Sequence, residues 1–281
     1  MSPAQAALLA VLGAPAGQAT GALPATMVVG AHPDDETVGV GSRLPRLADA
    51  RFVCVTDGAP RNGHDASRHG LTPQQYAQAR RHELEAVLAR CGIPAQRLHS
   101  LACPDQQASL QLAPLARSLA DLMAADGTAV VLTQPYEGGH PDHDATAFAV
   151  HAAVALLRSR GATAPDVVEM ASYHRGADGV RTCAFLPLPD GGDDAAMMLS
   201  LAPEEQRFKA ELIAGFTTQR ETLRGFPVDA EGFRPAPHYE FRAPPHPGKL
   251  HYENYPWGMT GERFRELASE AMAQLGLEGP L

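Results

Sequence analysis

Cysteine is scarce in this sequence: Cys54, Cys91, Cys103 and Cys183 are the only four in 281 residues, and no C-x-x-C pair occurs among them. That spacing gives no disulfide framework and reads as free thiols in a reducing compartment. Cys54, inside an apolar run, reads as a small core residue. Positive charge is also in deficit, with 23 Lys and Arg against 32 Asp and Glu and a formal net charge of −9. A nucleic-acid binder would show a basic face instead, so nucleic acid is excluded as a partner. There is no run of like charges, no low-complexity linker that forces a second domain, and no apolar run long enough to span a bilayer. The Ala-rich start, MSPAQAALLAVLGAPAGQAT, has a short apolar stretch with no Lys or Arg before it. It reads as a short helix rather than a signal peptide, and a cytoplasmic location is expected. What remains is 44% hydrophobic and 20% charged, the balance of a globular chain with a sizeable core.

Apolar runs at 27–31, 51–58, 129–135 and 166–174, with a shorter one at 97–101, predict strands. Between them, 72–92, 112–127 and 144–161 carry helical patterns; the first opens on Thr-Pro and closes on Gly. Strands alternating with helices predict an α/β fold, a Rossmann-like and mostly parallel sheet with helices on both faces. After about residue 175 the pattern weakens. Helices are expected at 202–223 and at 260–276, the latter capped by Thr260, while 226–258, rich in Pro and aromatics, is expected to be mostly loop.

Two related decapeptides stand out, GAHPDDETVG at 30–39 and GGHPDHDATA at 138–147. A third His-Pro pair, His246-Pro247, lacks both the apolar lead-in and the acids. Each HPD follows a predicted strand, and ligands of such sheets lie at the carboxyl ends of the strands, so the two motifs are expected on one rim. His and Asp suit a zinc ion that keeps one position open for water; the same donors also suit Fe²⁺. His32 and Asp35, three apart, can aim at one point, which leaves Asp34 to face water as a general base. Of His140 and His143, one can bind metal while the other faces substrate. An imidazolium or a tyrosine hydroxyl can stabilise an oxyanion. This chemistry suits hydrolysis of an amide.

AHPDDE together with HPDHD resembles the signature of the LmbE/PIG-L family of metal-dependent N-deacetylases, over roughly residues 27–175. The resemblance implies one deacetylase domain over 1–281, with a core at 27–175 and a variable substrate-shaping region at 176–281. It implies His32, Asp35 and His143 as ligands of Zn²⁺ (Fe²⁺ or another divalent metal being alternatives) and Asp34 as general base. His140 is similar to an oxyanion-stabilising histidine and Asp142 to its hydrogen-bonding partner. Arg80, in RRHELEAVLARCG, matches a sugar-binding arginine. Asp105, in CPDQQ, matches a binder of a sugar hydroxyl, and Tyr136 a tyrosine that moves over the substrate. Lys209 and Gln219 match a loosely recurring pair. The implied partner is a small N-acetylated amino sugar or its conjugate, with no nucleic acid and no membrane span; an oligomer is compatible with the sequence.

Plainer readings stand beside these. Asp34 sits where a helix begins and suits an N-cap. Glu36 suits a partner to a ligating histidine or a first-turn acid. Arg80 suits a solvated helix position beside Arg81, and Asp105 an ordinary turn. GVGSRL at 39–44 is a partial dinucleotide motif lacking its third glycine, and carboxylates stand where a phosphate loop should be. Beside the N-deacetylase, a hydrolase of another amide and a non-catalytic sugar binder share the fold.

Overall fold

Successive side chains of the first apolar run leave opposite faces of a sheet: Met27 and Val29 enter one core and Val28 another. The computed structural model describes residues 1–15, 17–18, 20–188 and 196–281. Ala16 and Ala19 of the Ala-rich start, and residues 189–195 within the variable region, lie outside the described residues. Helix α1 (Pro3–Gly13) comes first, followed by β1 (Thr26–Gly30), α2 (Asp35–Val40), β2 (Arg51–Pro60), α3 (His64–Arg68) and α4 (Pro73–Arg90). Then come β3 (Leu98–Asp105), α5 (Leu112–Ala125), β4 (Val130–Thr133), α6 (Pro141–Ser159) and β5 (Asp166–Met170). A hairpin of β6 (Tyr173–Gly176) and β7 (Gly179–Thr182) precedes β8 (Met197–Ser200), α7 (Pro203–Ile213), α8 (Arg220–Leu223), β9 (Ala230–Pro235) and α9 (Gly261–Leu275).

The main sheet runs β3-β2-β1-β4-β5-β9-β8. Its first five strands are parallel, and β9 and β8 close it antiparallel. One face packs on α5, α6 and α9, the other on α1, α4 and α7. Both faces are therefore covered, as the near-continuous apolar strands require. From β1 the chain steps outward through β2 and β3, then returns to place β4 on the other side of β1. The carboxyl ends of β1 and β4 form the crevice at that reversal, where open α/β sheets bind ligands. Val29 and Thr133 pair there, one and five residues before the two His-Pro-Asp decapeptides.

Two expectations differ from the structure. The run 166–174 is two strands: β5 stops at Met170, Ala171 donates its N–H to the Gly232 carbonyl, and Tyr173 begins the separate hairpin. The helix expected over 202–223 breaks after Ile213, where a Cβ on Gly215 would come 2.7 Å from Val87 Cγ2. The 226–258 stretch is mostly loop, as expected, but it contains β9, which lies inside the main sheet. Its charges hid it: Glu231 and Arg234 are buried, Glu231 against Lys209 and Ser42, Arg234 against Glu169. The glycines of GVGSRL have a packing role. A Cβ on Gly39 would lie 2.5 Å from Met170 Sδ, and one on Gly41 3.2 Å from Lys209 Cγ.

Candidate active site

The first motif turns out of β1 through short local bonds. Ala31 donates its N–H to Gln134 Oε1 (2.9 Å), and the His32 N–H donates to Asp35 Oδ2 (2.6 Å). Helix α2 then starts at Asp35, with Asp34 at its N-cap position but making no side-chain cap bond, so that carboxylate is free for other contacts. The second motif starts α6. His140 is the N-cap, its Nδ1 accepting the Asp142 N–H (3.1 Å), and Pro141 fills the first turn, where its missing N–H costs nothing. The preceding loop is held by Asp144, whose Oδ1 accepts from the N–H groups of Glu137 and Gly138. Gly139 permits the closest approach: a Cβ there would lie 2.1 Å from the Tyr173 carbonyl oxygen.

These turns bring three potential ligand side chains together, Asp35 meeting each histidine through a different carboxylate oxygen. His32 Nδ1 lies 3.2 Å from His143 Nε2 and 3.4 Å from Asp35 Oδ2, and His143 Nε2 lies 3.3 Å from Asp35 Oδ1. A tetrahedral zinc with ligand bonds of about 2.0–2.1 Å requires donors about 3.3–3.4 Å apart. The triangle therefore fits a small divalent cation and leaves a fourth direction open. Ser172 Oγ, 3.3 Å from His143 Nδ1, fixes that ring from behind.

A second set of donors shares His32 through its other nitrogen. Nε2 lies 3.3 Å from Asp105 Oδ1 and 3.4 Å from Asp142 Oδ2. Both Asp142 oxygens are already engaged, accepting the N–H groups of Gln106 (2.6 Å) and Ala108 (3.0 Å). This set is accordingly better suited to orient the His32 ring than to hold an ion. Asp142 is hydrogen-bonded to His140 through its backbone N–H, while its carboxylate faces His32. Burial opposes charge on His32, but Asp105, Asp142 and Asp35 outweigh it and hold its pKa well above the usual value. Burial alone would raise Asp35; His143 and His32 instead hold it well below the usual carboxylate range.

Arg80 reaches the same cluster from α4. Its Nη2 donates to Asp34 Oδ2 (2.8 Å) and to the Pro33 carbonyl (3.2 Å), and Nη1 donates to the Gly58 carbonyl (2.8 Å). It is 3% exposed, so it is not the solvated arginine of the plainer reading. Gly58, at φ +63°, leaves the room: a Cβ there would lie 2.8 Å from Arg80 Cζ. Burial raises the Asp34 pKa, against the pull of Arg80. Glu36 is buried, accepts the Thr37 hydroxyl (2.6 Å), and is pushed up to about 8 by burial. Tyr136, expected over the substrate, is instead part of the aromatic core. Its hydroxyl donates to the Ala243 carbonyl (2.9 Å), and its ring packs on Tyr239, Phe241 and Phe264.

With this geometry in view, residues 27–154 match the family model described as PIG-L: GlcNAc-PI de-N-acetylase. Residues 27–154 form a PIG-L family domain.

Solved structures share the fold of the chain around this PIG-L domain. An A40926 pseudoaglycone deacetylase superposes with TM-score 0.55 at 20% identity, covering 75% of this chain and 96% of its own. The N,N'-diacetylchitobiose deacetylase of Pyrococcus horikoshii gives 0.55 at 19%, covering 74% and 82%. A deacetylase of the teicoplanin biosynthesis pathway gives 0.55 at 16%, covering 74% and 96%. At these identities the likeness is one of fold. No curated protein matches the chain.

The PIG-L domain supplies His32, Asp34, Asp35, Arg80, Asp105, His140, Asp142 and His143. The chain beyond residue 154 supplies the site's outer wall, in keeping with the substrate-shaping region expected over 176–281, though Tyr173, His174 and Trp257 were not singled out. Tyr173 packs edge-on against His143 (5.2 Å between ring centroids), and Trp257 lies over His140 (4.6 Å). His174 Nδ1 meets Glu137 Oε2 at 3.0 Å, both buried, and so ties the β6–β7 hairpin to the second motif. No short-range signal marks these residues; only the count of aromatics in 226–258 hinted at Trp257. Lys209 and Gln219 are apart in role: Lys209 pairs with Glu231, and Gln219 donates to the Tyr76 hydroxyl.

Proposed function

We propose that the protein is a zinc-dependent hydrolase that removes the N-acetyl group from an N-acetylglucosamine-type amino sugar or its small-molecule conjugate. The observation that carries this reading is the triangle of His32 Nδ1, His143 Nε2 and Asp35, with edges of 3.2–3.4 Å, beside an Asp34 held by Arg80. A divalent cation held by those three side chains would polarise the amide carbonyl and bring the pKa of water toward neutrality.

The remaining work falls to the chain's own groups. Asp34 takes a proton from the attacking water as its oxygen bonds the carbonyl carbon. Arg80 holds the carboxylate through Oδ2 and leaves Oδ1 for that proton. His140 accepts at Nδ1 from the Asp142 N–H, so its own proton sits on Nε2. Burial, with His32 beside it, holds its pKa well below the usual value, so it serves as a neutral donor to the developing oxyanion. Return of the Asp34 proton to the nitrogen as the C–N bond breaks releases the amine and acetate. Asp105 and Asp142 act through His32, and we assign them to positioning it. The names of the pseudoaglycone and diacetylchitobiose deacetylases support an acylated amino sugar as substrate. Among the described residues no helix is long and apolar enough to cross a membrane.

The test is elemental analysis of the purified protein coupled to an assay for free amine on N-acetylglucosamine and its conjugates, before and after chelation. Stoichiometric zinc with chelator-sensitive amine release is expected. Full metal occupancy without amine release from any N-acetyl sugar would overturn the substrate reading. A protein that takes up no metal would overturn the site itself.

A further inference from the structure

The two site histidines are links in a closed circuit of aromatic rings. From His143 it passes to Tyr173 (5.2 Å between centroids), His251 (5.8 Å), Tyr255 (5.2 Å), Trp257 (4.4 Å), His140 (4.6 Å) and back to His143 (5.5 Å). Within it His140 and His143 are buried and Tyr173 is half-buried. The outer arc opens toward solvent: His251 and Trp257 are half-buried, and Tyr255 is 43% exposed. Tyr255 and Trp257 stack with their planes 11° apart, which presents a paired aromatic surface one ring away from His140.

This outer arc is held rigidly. Glu253 staples both ends of its segment, accepting from Leu250 N–H through Oε2 and from Gly261 N–H through Oε1, each at 2.8 Å. The His251 N–H donates to the Gly138 carbonyl (2.9 Å), which fastens the segment to the second motif. The Leu250 side chain lies where a Cβ on Gly138 would be, at 2.8 Å. Solvent-exposed aromatics on a pre-ordered backbone are costly to maintain for stability alone and are suited to binding, because little ordering remains to oppose association.

We propose that His251, Tyr255 and Trp257 form a stacking subsite for a second ring attached to the acylated amino sugar. The substrate is then a conjugate with a flat or apolar-faced ring next to the N-acetyl residue, not the free monosaccharide. That ring is either a second pyranose, through its C–H face, or an aryl aglycone. This rests on the deacetylase reading of the site and adds the class of aglycone to it.

Trp257 is the only tryptophan in the sequence, so its emission reports on the rim directly and without turnover. The experiment titrates the zinc-loaded full-length protein with N-acetylglucosamine, N,N'-diacetylchitobiose and phenyl N-acetylglucosaminide, following Trp257 fluorescence, and measures amine release in parallel. One aromatic stack supports a preference of about 5–10-fold for a two-ring ligand over the monosaccharide. Tyr255→Ala, at an exposed position, should reduce that preference to about 2-fold or less. Tighter disaccharide binding identifies a pyranose at the rim, and tighter phenyl glycoside binding an aryl group. Equal affinity for all three ligands overturns the proposal, as does a Tyr255→Ala variant that weakens all three by one factor. Amine release without ring preference leaves the deacetylase standing and removes the subsite. Ring preference in fluorescence without amine release does the reverse.

Discussion

Replacing Arg80 by methionine should be among the most damaging single changes near the site, for a reason that can be worked out in advance. Arg80 and Asp34 meet at 2.8 Å, with side chains 4% and 8% exposed. Removing one partner of such a pair leaves the other buried and uncompensated, which costs about 3–5 kcal/mol. The Gly58 and Pro33 carbonyls lose their donor as well. A loss of that size in a domain of this length lowers Tm by roughly 6–20 °C. The reasoning predicts more than a large loss. If the cost comes from the stranded Asp34 charge, then Asp34→Asn in the Arg80→Met background should recover about 2–3 kcal/mol, within the range seen for residues in direct contact. The two carbonyls stay unpaired, so the double variant should remain below wild type. The assay is denaturant unfolding followed by circular dichroism and Trp257 fluorescence. It is run with zinc in fixed excess and again with chelator, so that metal linkage is held apart from the pair. An Arg80→Met variant within about 1 kcal/mol of wild type would refute the argument. So would strict additivity of the two substitutions, since the pair would then carry no coupling.

Further outcomes follow from the same geometry. Asp34→Asn should keep stoichiometric metal and lose about 10²–10⁴-fold in turnover, whereas Asp35→Ala should lose the metal; elemental analysis beside the amine assay separates the two, and an active Asp34→Asn would remove it from the reaction. Gly139→Ala should disrupt the second motif, because its Cβ would fall 2.1 Å from the Tyr173 carbonyl oxygen; unchanged Tm and metal content would contradict this packing. His151 is buried on α6, its Nε2 has no hydrogen-bond partner among the described residues, and burial, with His238 and Arg158, lowers its pKa to about 3. Its folded pKa lies below the unfolded value near 6.5, so the stability tied to the neutral ring is complete above pH 6.5 and is lost as pH falls toward 3. Between pH 7 and pH 5 the wild type should lose about 2 kcal/mol more than His151→Leu, read as the difference in unfolding free energy, and parallel losses would disprove it.

How much of this was legible in the chain differs by element. The parallel half of the sheet was readable because β1, β2, β4 and β5 each centre on a run of apolar, mostly β-branched residues that is buried in the sheet. The antiparallel half was not. β9 carries Glu231 and Arg234, which look like loop residues until Lys209, Ser42 and Glu169 arrive from distant segments to neutralise them. β8 was equally hidden, an edge strand whose side chains are only half-buried or exposed.

The site divides the same way. Local spacing alone placed His32, Asp34 and Asp35 on one strand-to-helix turn and His140 and His143 on another, because a fixed turn geometry follows from a few adjacent residues. That the two turns meet at 3.2 Å was decided by the sheet order, which sets β4 directly beside β1 although a hundred residues separate them. Spacing could not show that Arg80 points inward to Asp34 while Arg81 pairs with Glu85 on the surface, since a helix pattern does not say which face meets the core until the core exists. Nor could it show that Tyr136 turns into the aromatic core while Trp257, over a hundred residues later, takes the place over His140. The sequence by itself determined which His and Asp residues stand together on each of the two turns, because that depends on residue type and short-range geometry. Only the tertiary structure decided which side chains surround them, because that depends on the packing of segments far apart in the chain.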